Sequence, residues 1–247
     1  MSDHPNIRLY APGTYGSGLE LALSREQAHY LYGVMRRKTG DLAGVFNGHD
    51  GEWAAEIILI SRKAVQLKLL RQIRPQATAP DLWLCFAPLK KARIDYLAQK
   101  ATEMGASVLQ PVFTERTNVG RVNQERLRSN VIEAAEQCTL TAVPEVHAPV
   151  KLEQLLENWD PARKLMFCDE AITPGASVTE VLGAYTPGEP WAILIGPEGG
   201  FSPQEADMIK AASGVVTVSL GPRIMRADTA IVAAMAVWQA ILGDWQD

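Results

Sequence analysis

A chain of 247 residues, 47% apolar and 21% charged, can bury one large core or two modest ones, which excludes disorder as its main state. Its 24 basic against 28 acidic residues give a formal charge of -4, excluding a uniformly basic nucleic-acid binder but not a local RNA-binding face. Cys85, Cys138 and Cys168 are odd in number and lack CxxC spacing, which speaks against a disulfide scaffold or zinc knuckle and for a reducing compartment. No apolar run approaches the ~18 residues of a membrane span, and the first ten residues have no signal-peptide character, so a soluble, cytoplasmic protein is expected.

Short apolar runs recur at residues 7–11, 19–23, 42–46, 53–60 and 65–70 between turn clusters such as Pro12-Gly13 and Asn47-Gly48, the rhythm of a small β-barrel. One helix interrupts them: Ser24 and Gln27 form a capping-box signature, and Ala28, Leu31, Tyr32 and Met35 follow at helical spacing before Gly40. Proline and small residues across 74–80 read as a linker, giving domains 1–74 and 75–247. Beyond it, strands at 82–87, 108–113, 165–168, 191–195 and 215–220 alternate with helices at 94–104, 124–137, 152–159, 203–212 and 228–242. That alternation predicts an α/β domain with a mostly parallel sheet. Residues 1–74 hold 10 basic and 7 acidic side chains, leaving 14 and 21 for the rest, so the first module is the better candidate for phosphate contact.

Two strand–turn–helix junctions carry candidate chemistry. Gly196-Pro197-Glu198-Gly199-Gly200 follows an apolar strand and precedes Ser202-Pro203-Gln204-Glu205, a helix start with a Ser cap, Pro at the first position and Glu three residues after the cap. Glycines there let backbone approach a ligand closely, yet neither a P-loop nor a GxGxxG pattern is present, which disfavours nucleotide triphosphatases and dinucleotide enzymes. In the second junction, Ser219 to Ala230, Arg223, Arg226 and Asp228 crowd one turn; Asp228 is most simply an N-cap. If the two strands are parallel and adjacent, both loops lie on the same strand-end side, where ligands of α/β folds bind. The helix after Asp228 is apolar nearly all round, hence buried or shared with a second subunit. His4, His29, His49 and His147 show no metal-ligand spacing, and no GxSxG or HExxH occurs.

The stretches LIGPEGGFSPQEADMI (194–209) and SLGPRIMRADTA (219–230) resemble signature motifs of the 16S rRNA uracil-N3 methyltransferase family of the knotted SPOUT class. QKATEMGASVLQPVFTERT (99–117), IEAAEQC (132–138) with VPEV (143–146), and HYLYGVMRRKTGD (29–41) extend the resemblance over nearly the whole chain. The resemblance implies a PUA-like RNA-binding barrel, a SPOUT domain with a C-terminal trefoil knot, S-adenosylmethionine as cofactor, 16S rRNA of the small subunit as partner, and a homodimer; no metal is expected. Matching positions for the cofactor are Thr114 and Glu115, the strand end Leu194 and Ile195, residues Gly196, Pro197, Glu198, Gly199 and Gly200, and Ser219, Leu220, Gly221, Ile224, Met225 and Arg226. Leu194, Ile195, Ile224 and Met225 would line an adenine pocket. Arg226, then Arg116, are the candidate cations for charge developing on the base. Arg8, Arg36, Arg37 and Lys38 on the barrel, and Arg93 beyond it, are the candidate phosphate contacts. A non-catalytic ribosome-assembly module and a tRNA-directed enzyme are competing readings. The chain departs from the pattern in having Asp228 for a commoner glutamate, and Thr139-Leu140-Thr141 where an arginine often follows.

Overall fold

Strict alternation along residues 65–70, with Val65, Leu67 and Leu69 buried and Gln66, Lys68 and Leu70 exposed, gives the first sheet one wet face and one dry face. The structure, a computed structural model, describes residues 5–169 and 177–246, excepting the side chain of Lys91. The chain forms two units, Met1–Thr78 with Ala135–Val143, and Ala79–Ala134 with Pro144–Asp247.

In the first unit, β1 (Arg8–Tyr10), β2 (Glu20–Ala22), β3 (Leu42–Phe46), β4 (Glu52–Ile60) and β5 (Val65–Arg74) form a sheet in the order β1-β3-β4-β5-β2. The β1–β3 pair is parallel and the others are antiparallel. Among the described residues no pairing joins the edge strands β1 and β2, so the expected barrel is a half-barrel. Ile7, Leu9, Val45, Ala55 and Ile57 fill it together with Ala28 and Leu31. Helix α1 (Arg25–His29) opens with the expected capping box but then winds into a π-turn, Tyr30–Val34, where the Met35 N–H reaches the Tyr30 carbonyl at 2.9 Å. That wider turn breaks the expected helical stripe: Leu31 is buried while Tyr32 and Met35 are exposed.

Residues 135–143 differ from the linear boundary near residue 75, because they belong to the first unit. They comprise the end of α3 (Gln124–Gln137) and the turn after it. Arg8 is the reason: its guanidinium donates to the carbonyls of Ala135 (2.8 Å), Glu136 (3.2 Å) and Leu140. The same group pairs with Glu52 at 3.0 Å and lies 4.1 Å over the Phe46 ring. The Tyr10 N–H donates to Glu136 Oε1 (2.8 Å) and the Ala77 N–H to Thr141 Oγ1 (2.9 Å), completing the attachment.

The second unit has a sheet whose described pairings are all parallel, where a mostly parallel one was expected. Its strands are β6 (Leu82–Phe86), β7 (Val108–Phe113), β8 (Glu145–Val146), β9 (Val150–Lys151), β10 (Lys164–Cys168), β11 (Trp191–Ile195) and β12 (Val215–Val218). The order is β12-β10-β11-β6-β7-β8, with β9 also on β7. All five residues of β11 are buried, the unbroken apolar run of a strand covered on both faces. Helices α2 (Lys91–Glu103), α4 (Leu152–Glu157), α5 (Val178–Leu182), α6 (Pro203–Ala211) and α7 (Ala227–Ile241) complete the unit. On α7, Ile231, Ala234, Met235 and Trp238 are buried, whereas Val232, Ala233, Ala236, Val237 and Ile241 are half-buried.

Candidate cofactor and catalytic site

Because β7, β11 and β12 run parallel, the three glycine- and arginine-bearing loops that follow them leave from the same, C-terminal end of the strands. The strands β11 and β12 are not adjacent, as the sequence reading required for this placement; β10 lies between them, and the shared direction alone suffices. These loops are residues 114–117, 196–202 and 219–226.

The first two loops are tied together through a carboxylate. Ser202 and Glu205 form the expected capping box, with the Ser202 N–H donating to Glu205 Oε2 at 2.9 Å and the Glu205 N–H to Ser202 Oγ at 3.3 Å. Glu205 is 4% exposed, and its other oxygen accepts the Glu115 N–H at 2.7 Å. Arg116 adds a second tie, donating to the Gly199 carbonyl at 2.9 Å. Thr114 is fixed by Thr117, whose Oγ1 accepts its N–H at 3.0 Å. Within the 196–202 loop, the Gly200 N–H bonds the Pro197 carbonyl at 2.9 Å and Gly200 sits at φ +66, a left-handed turn suited to glycine. Gly196 has a different constraint: a Cβ there would lie 2.7 Å from the Phe201 ring, itself edge-on to Phe167 at 5.3 Å.

The third loop is open. Gly221 takes φ +108, its N–H turned to Ser219 Oγ at 3.3 Å. Ile224 is 84% exposed, Leu220 and Met225 are half-buried, and Arg226 is exposed. The peptide N–H groups of Ile224 and Met225 have no bond among the described residues. Arg226 is the N-cap of α7 and offers no side-chain cap. Asp228 is therefore not the N-cap expected from the sequence; it stands inside the first turn, where its charge still favours the helix dipole. Its partner is Arg93 at 3.8 Å, and Arg93 also donates to Glu198 at 3.0 Å, so this cation is engaged by two carboxylates. Leu194 and Ile195 are 0% and 4% exposed, and Leu194 packs within the unit's core with Cys85, Val112 and Ile209.

The candidate phosphate contacts of the first unit divide in the same manner. Arg8 is taken up by the bonds described above, and desolvation lowers its pKa from the usual arginine value, so it is a structural cation rather than a phosphate hand. Arg36 is exposed and left-handed at φ +52, Arg37 is half-buried, and Lys38 is exposed with its N–H capped by Asp41 at 3.0 Å. Among the described residues no group of His, Cys, Asp and Glu could hold a metal ion; His4 lies outside them. Sequence reasoning missed the second arm of Glu205 and the bridge through Arg93, both of which join residues far apart in the chain.

Residues 76–239 match the RNA methyltransferase domain family, and residues 23–70 match the RNA methyltransferase PUA domain. Ribosomal RNA small subunit methyltransferase E of Rickettsia conorii is 30% identical over 89% of this chain and 88% of its own. The Synechocystis protein of the same name is 33% identical over 90% of this chain and 73% of its own. Among solved structures, the Legionella pneumophila protein Lpg2936, in complex with S-adenosylmethionine, aligns with a TM-score of 0.85 and 31% identity, covering 96% of this chain and 98% of that one. Ribosomal RNA small subunit methyltransferase E of Neisseria gonorrhoeae, bound to S-adenosylmethionine, aligns with a TM-score of 0.85 and 25% identity over 98% of this chain and all of that one. A parallel sheet with three loops at one end of its strands, preceded by a PUA-type half-barrel and matched along nearly its whole length, makes this chain a member of the ribosomal RNA small subunit methyltransferase E family.

Proposed function

We propose that this protein methylates N3 of a uridine in 16S ribosomal RNA, using S-adenosylmethionine held by the loops 114–117, 196–202 and 219–226. The observation that carries the reading is the strand-end surface formed by these loops: two are locked to each other through Glu205 and Arg116, and the third offers unbonded N–H groups beside the exposed Ile224. Backbone donors next to an apolar surface suit the acceptor ring nitrogens and flat face of an adenine, so the residues present fit the cofactor. Ile224 and Met225, rather than the core side chains Leu194 and Ile195, are the groups free to cover that face. Bound there, S-adenosylmethionine supplies a methyl group already activated on a sulfonium.

The chain's own task is to present the base and tolerate charge on it. Uracil N3 is a nucleophile only as its proton leaves, here to solvent water, so a fixed cation beside O2 or O4 stabilises the developing anion. Arg226, exposed at the head of α7 with no partner among the described residues, is available for this; Arg116 is committed to the Gly199 carbonyl and serves as a loop tie.

The proposal includes the finer features of the family: a trefoil knot in the second unit, a cytoplasmic location and a homodimer. The half-buried apolar strip of Val232, Ala233, Ala236, Val237 and Ile241 supports pairing through α7, a reading that light scattering at micromolar concentration tests. Trp238, 2% exposed, belongs to the subunit's own core and would be a poor probe of that interface. No helix among the described residues is long and apolar enough to cross a membrane. The decisive experiment is mass spectrometry of 16S rRNA from cells lacking the gene. Loss of one 3-methyluridine, restored by the wild-type chain but not by Arg226→Ala, is expected; an unchanged 3-methyluridine content refutes the proposal.

A further inference from the structure

Some cations of this protein are matched by a neighbouring carboxylate and others are not. Arg8, Arg74, Arg93, Arg126, Arg163, Lys100 and Lys210 each pair with one. Arg25, Arg62 and Lys63 pair with none among the described residues, and with His29 they line one open cleft of about 330 Å³ in the first unit. No carboxylate contributes to its walls.

The cleft is held by rigid parts. Arg25 and His29 stand on α1, whose start is fixed by the Ser24–Gln27 capping box and whose Gln27 side chain donates to the Tyr10 carbonyl at 2.7 Å. Arg62 and Lys63 occupy the tight turn between β4 and β5, closed by the Ser61 N–H on the Ala64 carbonyl at 2.8 Å. Ser61 Oγ accepts the Lys63 N–H at 3.3 Å and the Ala64 N–H at 3.1 Å. On the other side of His29, the backbone of Gly33 in the π-turn approaches so closely that a Cβ there would lie 3.3 Å from the ring. Gathering three permanent cations and an imidazole around one space raises mutual repulsion unless an anion enters it. The contrast within the same sheet is Lys68, which faces Glu20 and Glu56 across the strands and so has its charge offset locally.

We infer that the Arg25–His29–Arg62–Lys63 cleft is a binding site for a phosphodiester of the RNA backbone. It deepens the RNA-directed reading above and rests on it: the cleft positions the strand, and the exposed rings of Tyr30 and Tyr32, on the turn that continues α1, offer stacking faces to the neighbouring bases. None of these residues was singled out as a phosphate contact by sequence, because the cleft forms only when α1 and the β4–β5 turn come together.

The test uses the full chain and a fluorescein-labelled 12-nucleotide single-stranded RNA, followed by anisotropy at several KCl concentrations. The double variant R62E/K63E, whose changes lie in an exposed turn, should bind about tenfold or more weakly. Its log–log salt slope should be shallower by about 1 or more, as expected when one or two phosphate contacts vanish. Arg25→Gln should give a smaller loss in the same direction, and Lys68→Glu should stay within about twofold of wild type. Calorimetric binding of S-adenosylmethionine should be unchanged in all three. An R62E/K63E variant with wild-type affinity and slope, or a Lys68→Glu variant with an equal loss, overturns the cleft while leaving RNA binding intact. Protection of the cleft lysine from acetylation by millimolar inorganic phosphate but not by the RNA assigns it to a free anion and also overturns the inference. Failure of the wild-type chain to bind the RNA at low salt is a different result, which removes the RNA-directed reading itself.

Discussion

Glu205→Ala is the sharpest probe of how the candidate site is held. The side chain is 4% exposed and accepts two peptide N–H groups, from Glu115 at 2.7 Å and from Ser202 at 2.9 Å. A hydrogen bond to a charged group contributes about 1.5–3 kcal/mol net, and the orphaned Ser202 donor is buried, so about 3–4 kcal/mol of stability should be lost after partial relaxation. In a chain of this size that corresponds to a melting temperature lower by about 6–16 °C. The Glu115 loop, freed from the 196–202 loop, should also cost S-adenosylmethionine about tenfold in affinity, since ordering it would then fall to the ligand. Glu205→Gln keeps one acceptor but turns an amide donor towards a peptide N–H, and should lose about half as much stability. Thermal unfolding by circular dichroism and calorimetric titration with S-adenosylmethionine give the two readouts. A folded alanine variant that melts within about 2 °C of wild type and binds cofactor within twofold would refute the clamp.

Gly196→Ala places a Cβ 2.7 Å from the Phe201 ring, so stability and cofactor affinity should both fall; Gly199→Ala, whose Cβ would meet Arg116 at an ordinary 3.5 Å, should leave the melting temperature nearly unchanged. Arg226→Ala should lower single-turnover methylation about 100 to 1000-fold with cofactor affinity nearly unchanged, the split expected of a group that acts on the transition state. Arg8→Ala should lower the melting temperature, through about 3 kcal/mol of lost stability, because it unpins residues 135–143 and leaves Glu52 with one partner fewer. Burial raises the Cys85 thiol from 9.0 to about 12. Its neutral form is thus favoured in the fold, so its contribution to stability is complete below about pH 9 and declines between about pH 9 and 12, and alkylation at pH 8 should leave Cys85 unmodified until the protein unfolds.

The strands and most helices were legible because their signals are local. Residues 191–195 read as a buried strand from apolarity alone, and Ser202-Pro203-Gln204-Glu205 announced a helix start that the hydrogen bonds reproduce. What escaped was set by contacts across the chain. The carboxylate of Glu205 reaches a backbone group 90 residues away, and nothing in a capping box reveals a second acceptor in use. Arg8 looked like a surface cation because the carbonyls that bury it arrive more than 120 residues later. Asp228 satisfied a composition rule for caps, yet the extended backbone of Arg226 takes that position and leaves the carboxylate two residues inside the helix. The π-turn at Tyr30–Val34 preserves apolar spacing in the sequence while rotating Tyr32 outward, so a periodicity argument assigned that residue to the wrong face.

The return of residues 135–143 to the first unit also governs the order in which the protein can be made. A ribosome that has released Thr78 has delivered the five strands but not the carbonyls of Ala135, Glu136 and Leu140 that Arg8 requires. At roughly 5–20 residues per second, the further 65 residues to Val143 take about 3–13 s, through which the Arg8 guanidinium lacks those carbonyls. The half-barrel therefore cannot reach its final packing as an N-terminal piece folding alone during synthesis; it is completed only after β6, β7 and α3 have emerged, and part of the second unit must exist before the first is finished.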